Sequence, residues 1–174
     1  MADSPRAPGA QGTGRLAPLA TRPGRLTLRV VRAYRCARCG ALNRVGAAPA
    51  GHAPVCGRCR ADLDVSGEPQ VATAAALDSA VGSSPVPVLV DFWAPWCGPC
   101  RAAAPIFAEL GRRRAGELVV LKVNADEEPE VSARLGVRAI PTFVLFAGGR
   151  EVARHSGVLP RPELEAWVAA HLPA

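Results

Sequence analysis

Six cysteines in three Cys-x-x-Cys pairs are the residues of this chain best suited to chemistry: Cys36/Cys39, Cys56/Cys59 and Cys97/Cys100. In a reducing compartment such pairs serve as metal ligands or as redox dithiols more often than as structural disulfides. The first two pairs run Cys36-x2-Cys39-x16-Cys56-x2-Cys59, the spacing of a zinc ribbon, in which two tight turns present four thiolates tetrahedrally to one Zn2+. Residues 34–64 around them carry much Gly and Pro and few apolar side chains. A bound metal, rather than a core, has to hold this segment together. His52 lies between the pairs and could replace one Cys, but a full set of four thiolates is already present; two disulfides are the alternative, the more so if the protein were exported.

The third pair has a different setting. Trp96-Cys97-Gly98-Pro99-Cys100 stands where a short apolar run, residues 86–92, hands over to a helical pattern, residues 98–114. Cys97 then falls at a helix N-terminus, where free backbone N–H groups and the positive end of the helix dipole favour the thiolate that attacks disulfides. Cys100, one turn on, is close enough to pair with Cys97 and is expected to be the more sheltered. Gly98 and Pro99 suit the first turn of a helix. Asp91 interrupts the apolar run; burial opposes its ionisation and raises its pKa, which marks it either as a proton-handling group or as a strand-end carboxylate bonded to backbone.

The elements that position these residues follow from pattern. Residues 71–73 read as a short strand, with Thr73 as N-cap of a helix over 74–81. Residues 86–92 read as a buried central strand, and 118–123 as another. Pro105 predicts a kink in the helix that starts at Gly98. Residues 129–135 form a short helix ended by Gly136, and 142–146 with 151–155 a hairpin around Gly148-Gly149. Leu164, Trp167, Val168 and Leu172 have helical spacing at the end of the chain. The order is βαβαβαββα, an α/β sandwich with a mixed sheet.

Charge separates the parts. Residues 1–64 hold eleven Arg against Asp3, Asp62 and Asp64, a net of +8, whereas residues 65–174 hold ten Lys plus Arg against twelve acids, a net of −2. The basic ribbon arginines Arg35, Arg38, Arg44, Arg58 and Arg60 raise a nucleic-acid or acidic-partner reading. Against it stand the −2 that four thiolates leave on a bound Zn2+ and the lack of interleaved aromatics beyond Tyr34. Residues 1–33, with scattered Pro, Gly and Arg, read as a disordered leader or a misassigned start. No run reaches the roughly 18 apolar residues of a membrane span, and no apolar h-region of a secretory signal is present.

The run Val90-Asp91-Phe92-Trp93-Ala94-Pro95-Trp96-Cys97-Gly98-Pro99-Cys100 resembles the active-site signature of thioredoxins, and the likeness extends over about 105 residues through Pro105, Lys122, Ile140-Pro141-Thr142, Gly148-Gly149 and Gly157. Together with the Cys36–Arg44 and Pro54–Cys59 segments it resembles the zinc-containing thioredoxin-2 family of bacteria. The resemblance implies a thioredoxin fold, a mixed central sheet flanked by helices, over 65–174, with a small zinc ribbon over 34–64. It implies protein-disulfide reduction, Cys97 attacking and Cys100 resolving, with Asp91 taking the resolving proton. Lys122 would tune that acid, though a lone strand lysine can equally carry its ammonium to solvent. Pro141 would be cis and face the cysteines, and Trp96, Gly98, Pro99, Ile140, Gly157 and Val158 would bind substrate. Implied besides are one structural zinc, no organic cofactor, an NADPH-dependent thioredoxin reductase and disulfide-containing proteins as partners, a monomer, and a cytoplasmic site.

Overall fold

The computed structural model describes residues 1, 32–46 and 53–172. Two strands, β1 (Arg32–Arg35) and β2 (Leu42–Val45), pair antiparallel in a small sheet of their own. The rest follows the expected order: β3 (Gln70–Val71), α1 (Ala74–Ser83), β4 (Val88–Trp93), α2 (Gly98–Arg113), β5 (Val119–Asn124), α3 (Pro129–Arg134), β6 (Thr142–Ala147), β7 (Arg150–Ser156) and α4 (Arg161–His171). These strands form one five-stranded sheet in the order β3-β5-β4-β6-β7, with β4 parallel to β5 and antiparallel to β6.

β4 is central because it can be buried on both faces. Val88, Val90 and Phe92 pack into one core with Leu77, Leu121 and Val144, while Leu89 joins a second core with Phe107, Leu110, Phe143 and Leu164. The alternation is the period-two geometry of a strand. Asp91 shares the parity of Leu89, so it faces the side on which α2 packs. The strand starts at Val88 because Pro87 has no N–H to give the ladder, although its carbonyl still accepts from Val119 N at 3.0 Å. β3 stops at Val71 because Thr73 leaves the strand direction to cap α1, its hydroxyl accepting from Ala76 N at 3.3 Å.

The ribbon uses one turn twice. Gly40 N donates to Cys36 O at 2.8 Å and Arg60 N to Cys56 O at 2.9 Å, and each knuckle closes with a backbone bond from its first cysteine, Cys36 N to Ala41 O and Cys56 N to Ala61 O. The turn needs a left-handed residue at its end, supplied by Gly40 (φ +74°) and by Arg60 (φ +62°). β1 begins at Arg32, so two residues assigned to the leader belong to an ordered strand, and Ala33 is buried. A backbone bond from Ala33 N to Gly116 O (2.8 Å) anchors that strand to the turn after α2. Residues 2–31 of the leader, and His52, lie outside the described residues.

Candidate redox and metal sites

Cys97 is the N-cap of α2, and its sulfur accepts the backbone N–H of Cys100 at 3.1 Å. That N–H is one of the donors a helix start leaves unpaired, so the fold aims positive charge at the one sulfur expected to act as nucleophile. The two sulfurs are joined in a disulfide. Exposure does not distinguish them, at 4% for Cys97 and 3% for Cys100, against the expectation that Cys100 is more sheltered; their places on the helix do. Gly98 and Pro99 between them are exposed, and Pro99 sits in the first turn, where its missing N–H leaves no bond unmade.

Asp91 is buried to 1% exposure, and neither carboxylate oxygen has a hydrogen-bond partner among the described residues. Burial pushes its pKa up to about 7, opposed by the charge of Lys122. Lys122 is the register neighbour of Asp91 on β5, and its ammonium lies 4.3 Å from the ring centroid of Trp93. The half-buried lysine therefore lies over the indole face, in register with the acid.

The Ile140–Pro141 bond is cis, and Gly157 N donates to Pro141 O at 2.9 Å, tying the two loops together. Ile140 packs against the small cluster of Ala94, Cys97 and Cys100, which brings the proline loop to the cysteines. Trp96, 68% exposed, donates its indole N–H to Asp126 at 2.7 Å, and Trp96, Asp126, Arg138 and Ile140 line a cleft of about 450 Å3. Gly157 and Val158 do not line that cleft; both are exposed nearby in the chain beyond β7. Sequence reasoning missed Asp126 and Arg138. The only signal for Asp126 is an acid two residues beyond the end of the buried strand β5, close to where the cysteine motif follows β4.

At the ribbon, the sulfurs of Cys36, Cys39, Cys56 and Cys59 all lie within 4.8 Å of one another, with Cys36···Cys59 and Cys39···Cys56 at 3.6 Å. A tetrahedron of thiolates about 2.3 Å from Zn2+ has edges of about 3.8 Å, so the sulfur cage fits that ion. The Cys59 and Arg58 backbone N–H groups lower the Cys56 pKa to about 6, whereas burial and the neighbouring cage sulfurs push Cys39 up to about 11, so the four thiols do not all favour the thiolate alike. Asn43, another residue the sequence did not single out, braces the second knuckle: its amide N–H2 donates to Ala41 O and to the Cys56 sulfur, and its oxygen accepts from Gly57 N at 2.9 Å. Of the five arginines grouped as a possible docking surface, Arg35 is buried at 7% exposure and cannot belong to one.

A model of the Thioredoxin family matches residues 68–170. The chain belongs to the thioredoxin family. Among similar proteins, thioredoxin from Synechocystis sp. is 41% identical over 108 residues, 62% of this chain and 100% of its own length. Thioredoxin C-3 from Corynebacterium nephridii is 39% identical over 137 residues, 79% of this chain and 93% of its own. A match of that length in a 174-residue chain reaches back into the ribbon segment. The structure of a point mutant of thioredoxin from Halobacterium salinarum superposes with a TM-score of 0.58 at 29% identity, covering 64% of this chain and 96% of that one. The shared architecture is the thioredoxin fold, and its relatives support a thiol–disulfide oxidoreductase. Among the described residues no helix is long and apolar enough to cross a membrane.

Proposed function

We propose that this chain is a protein-disulfide reductase of the zinc-containing thioredoxin-2 type, with residues 34–64 as the zinc module and 65–174 as the redox module. The observation that carries the reading is the Cys100 N–H directed at the Cys97 sulfur on the N-terminus of α2. Cys97 as thiolate attacks one sulfur of a substrate disulfide and displaces the other as a thiolate, which takes a proton from water. Asp91 as carboxylate accepts the Cys100 thiol proton, and the Cys100 thiolate then attacks the Cys97 sulfur of the mixed disulfide. The second substrate sulfur leaves reduced. Substrate has gained two electrons, and the protein is left with the Cys97–Cys100 disulfide.

An acid whose pKa is about 7 can both accept and return a proton near neutrality, which is what the resolving step asks of it. Lys122 holds that value down from where burial alone would put it. The Trp96–Ile140 cleft and the cis-proline loop, with Gly157 and Val158 beyond it, receive an extended substrate segment. An NADPH-dependent thioredoxin reductase returns two electrons to the disulfide, in a reducing cytoplasmic compartment where the protein acts as a monomer. Four thiolates suit a soft or borderline ion, and Zn2+ supplies structural cross-linking there without redox chemistry.

Insulin reduction with NADPH and thioredoxin reductase, run beside metal analysis of protein purified under reductant, tests both halves. Turnover with about one zinc per chain is the expected result. No turnover would overturn the reductase reading, and no zinc the metal reading.

A further inference from the structure

We propose that Arg35 is the counter-charge of the metal–tetrathiolate centre and the pin that holds the ribbon on the thioredoxin fold, so that metal retention and ribbon docking rise and fall together. The proposal rests on the reading that the four cysteines bind zinc.

Arg35 immediately precedes Cys36 and closes β1. A guanidinium is always charged, yet this one is buried, and its Nε has no partner among the described residues. Its bonds run to one residue of the other module. Nη1 donates to Gln70 Oε1 at 2.8 Å, and Gln70 Nε2 donates back to the Arg35 carbonyl at 2.9 Å. Gln70 begins β3, the edge strand of the large sheet, so this two-way clasp joins the knuckle to the redox module.

A neutral amide offsets a largely buried cation only in part, and such a cation is stabilised by an anion nearby. Among the described residues no carboxylate pairs with it. Glu68 and Asp64 line the same small cavity, but Glu68 is held by Arg112 at 2.5 Å and Asp64 accepts from Ser66 N at 2.8 Å. The guanidinium instead lies against the first knuckle turn, where a Cβ placed on Gly40 would stand 3.4 Å from Nη2. Gly40 closes the turn that carries Cys36 and Cys39. Zn2+ with four thiolates leaves a net −2 beside that turn, the anion the buried cation lacks. Coupling of this kind is reciprocal: what metal does for docking, docking does for metal.

Full-length protein loaded with zinc is titrated with the chelator 4-(2-pyridylazo)resorcinol, and exchange of the Ala33 amide, bonded across the interface to Gly116 O, is followed with and without zinc. Arg35→Met, which keeps the chain length but removes the charge, should release zinc roughly tenfold more readily, the scale of a lost outer-shell partner. Arg35→Lys should recover part of that loss. Gln70→Leu, in the other module and remote from the ligands in sequence, should also loosen zinc and speed Ala33 exchange. Stripping zinc from the unmodified protein should speed the same amide. Wild-type zinc retention in Arg35→Met, or Ala33 exchange indifferent to zinc, would overturn the proposal. If Arg35→Met does not fold, retention unchanged in both Arg35→Lys and Gln70→Leu would overturn it equally. Unmodified protein that holds no zinc would instead overturn the metal reading on which the proposal stands.

Discussion

Cys97 and Cys100 are chemically identical side chains given different surroundings by a helix. The N-cap position offers Cys97 a backbone N–H and leaves Cys100 inside the first turn, joined to Cys97 by the disulfide. Cys97→Ser should therefore abolish disulfide reduction, because a serine hydroxyl at neutral pH is far too weak a nucleophile. Cys100→Ser should stop at the mixed disulfide, leaving partner proteins attached through Cys97 on a non-reducing gel and released by reductant; equal trapping by both variants would reverse the roles. Asp91 gives a second residue-scale prediction. Its pKa rises from 3.8 to about 7, so between those values the folded protein keeps a proton that the unfolded chain has lost. Stability must then fall as pH rises through that window, by up to about 4 kcal/mol once above pH 7. Asp91→Asn removes the penalty. Urea unfolding should find the variant more stable than the parent at pH 8, with the gap closing toward pH 4; a gap constant with pH would contradict the buried, titrating acid. The cysteines and Asp91 were legible from sequence because type and local spacing define them. Arg35 was not: among basic neighbours it reads as surface charge, and only the docking of the ribbon on Gln70 buries it. Asp126 was missed for a related reason, since its contact with Trp96 spans 30 positions of chain.

Elements were readable where a long pattern existed. The helices and the central strand of the redox module came within a few residues of their observed ends, and the misses at β3 and β4 trace to a cap and a proline. β1 and β2 gave no signal, because four-residue strands flanking a cysteine knuckle have too little alternation to stand out. Two glycines show where an element's placement hinges on a missing Cβ and where it does not. Gly67 has φ +81°, and a Cβ there would collide with the Gly111 carbonyl, so the connecting segment can lie on α2 only through glycine. Gly82, inside α1, has open space around it. Gly67→Ala should destabilise the fold by about 2 kcal/mol or more, whereas Gly82→Ala should stabilise it by about 0.5–1 kcal/mol. Thermal unfolding of the pair tests this, and similar shifts from both would show that the contact with Gly111 yields easily.

At the scale of the molecule, α2 separates the two sites. Its N-terminus carries Cys97, while the ribbon touches the far end, through Ala33 N on Gly116 O and Arg32 on Ala115 O. Sixteen helical residues place those contacts about 24 Å from the dithiol. The two sites also draw on largely separate cores. The large clusters around β4 contain none of the ribbon's fully buried residues, only the half-buried Leu42 of β2 packing against one of them, and the ribbon's own cluster has only Cys36, Cys56 and Leu63 fully buried, two of them metal-ligand candidates. Replacing Cys36, Cys39, Cys56 and Cys59 together by Ser should therefore abolish zinc binding and unfold the ribbon, since little apolar burial remains to hold it. The redox module should keep its own cooperative transition, and disulfide reduction should stay within a factor of about two of the parent, as expected for sites this far apart with no shared partner. Amide exchange read segment by segment gives the first result and insulin turnover the second. Loss of turnover in a variant whose β4 and β5 amides remain protected would mean that the ribbon acts on the dithiol over the length of α2, and the separation argued from the cores would be wrong.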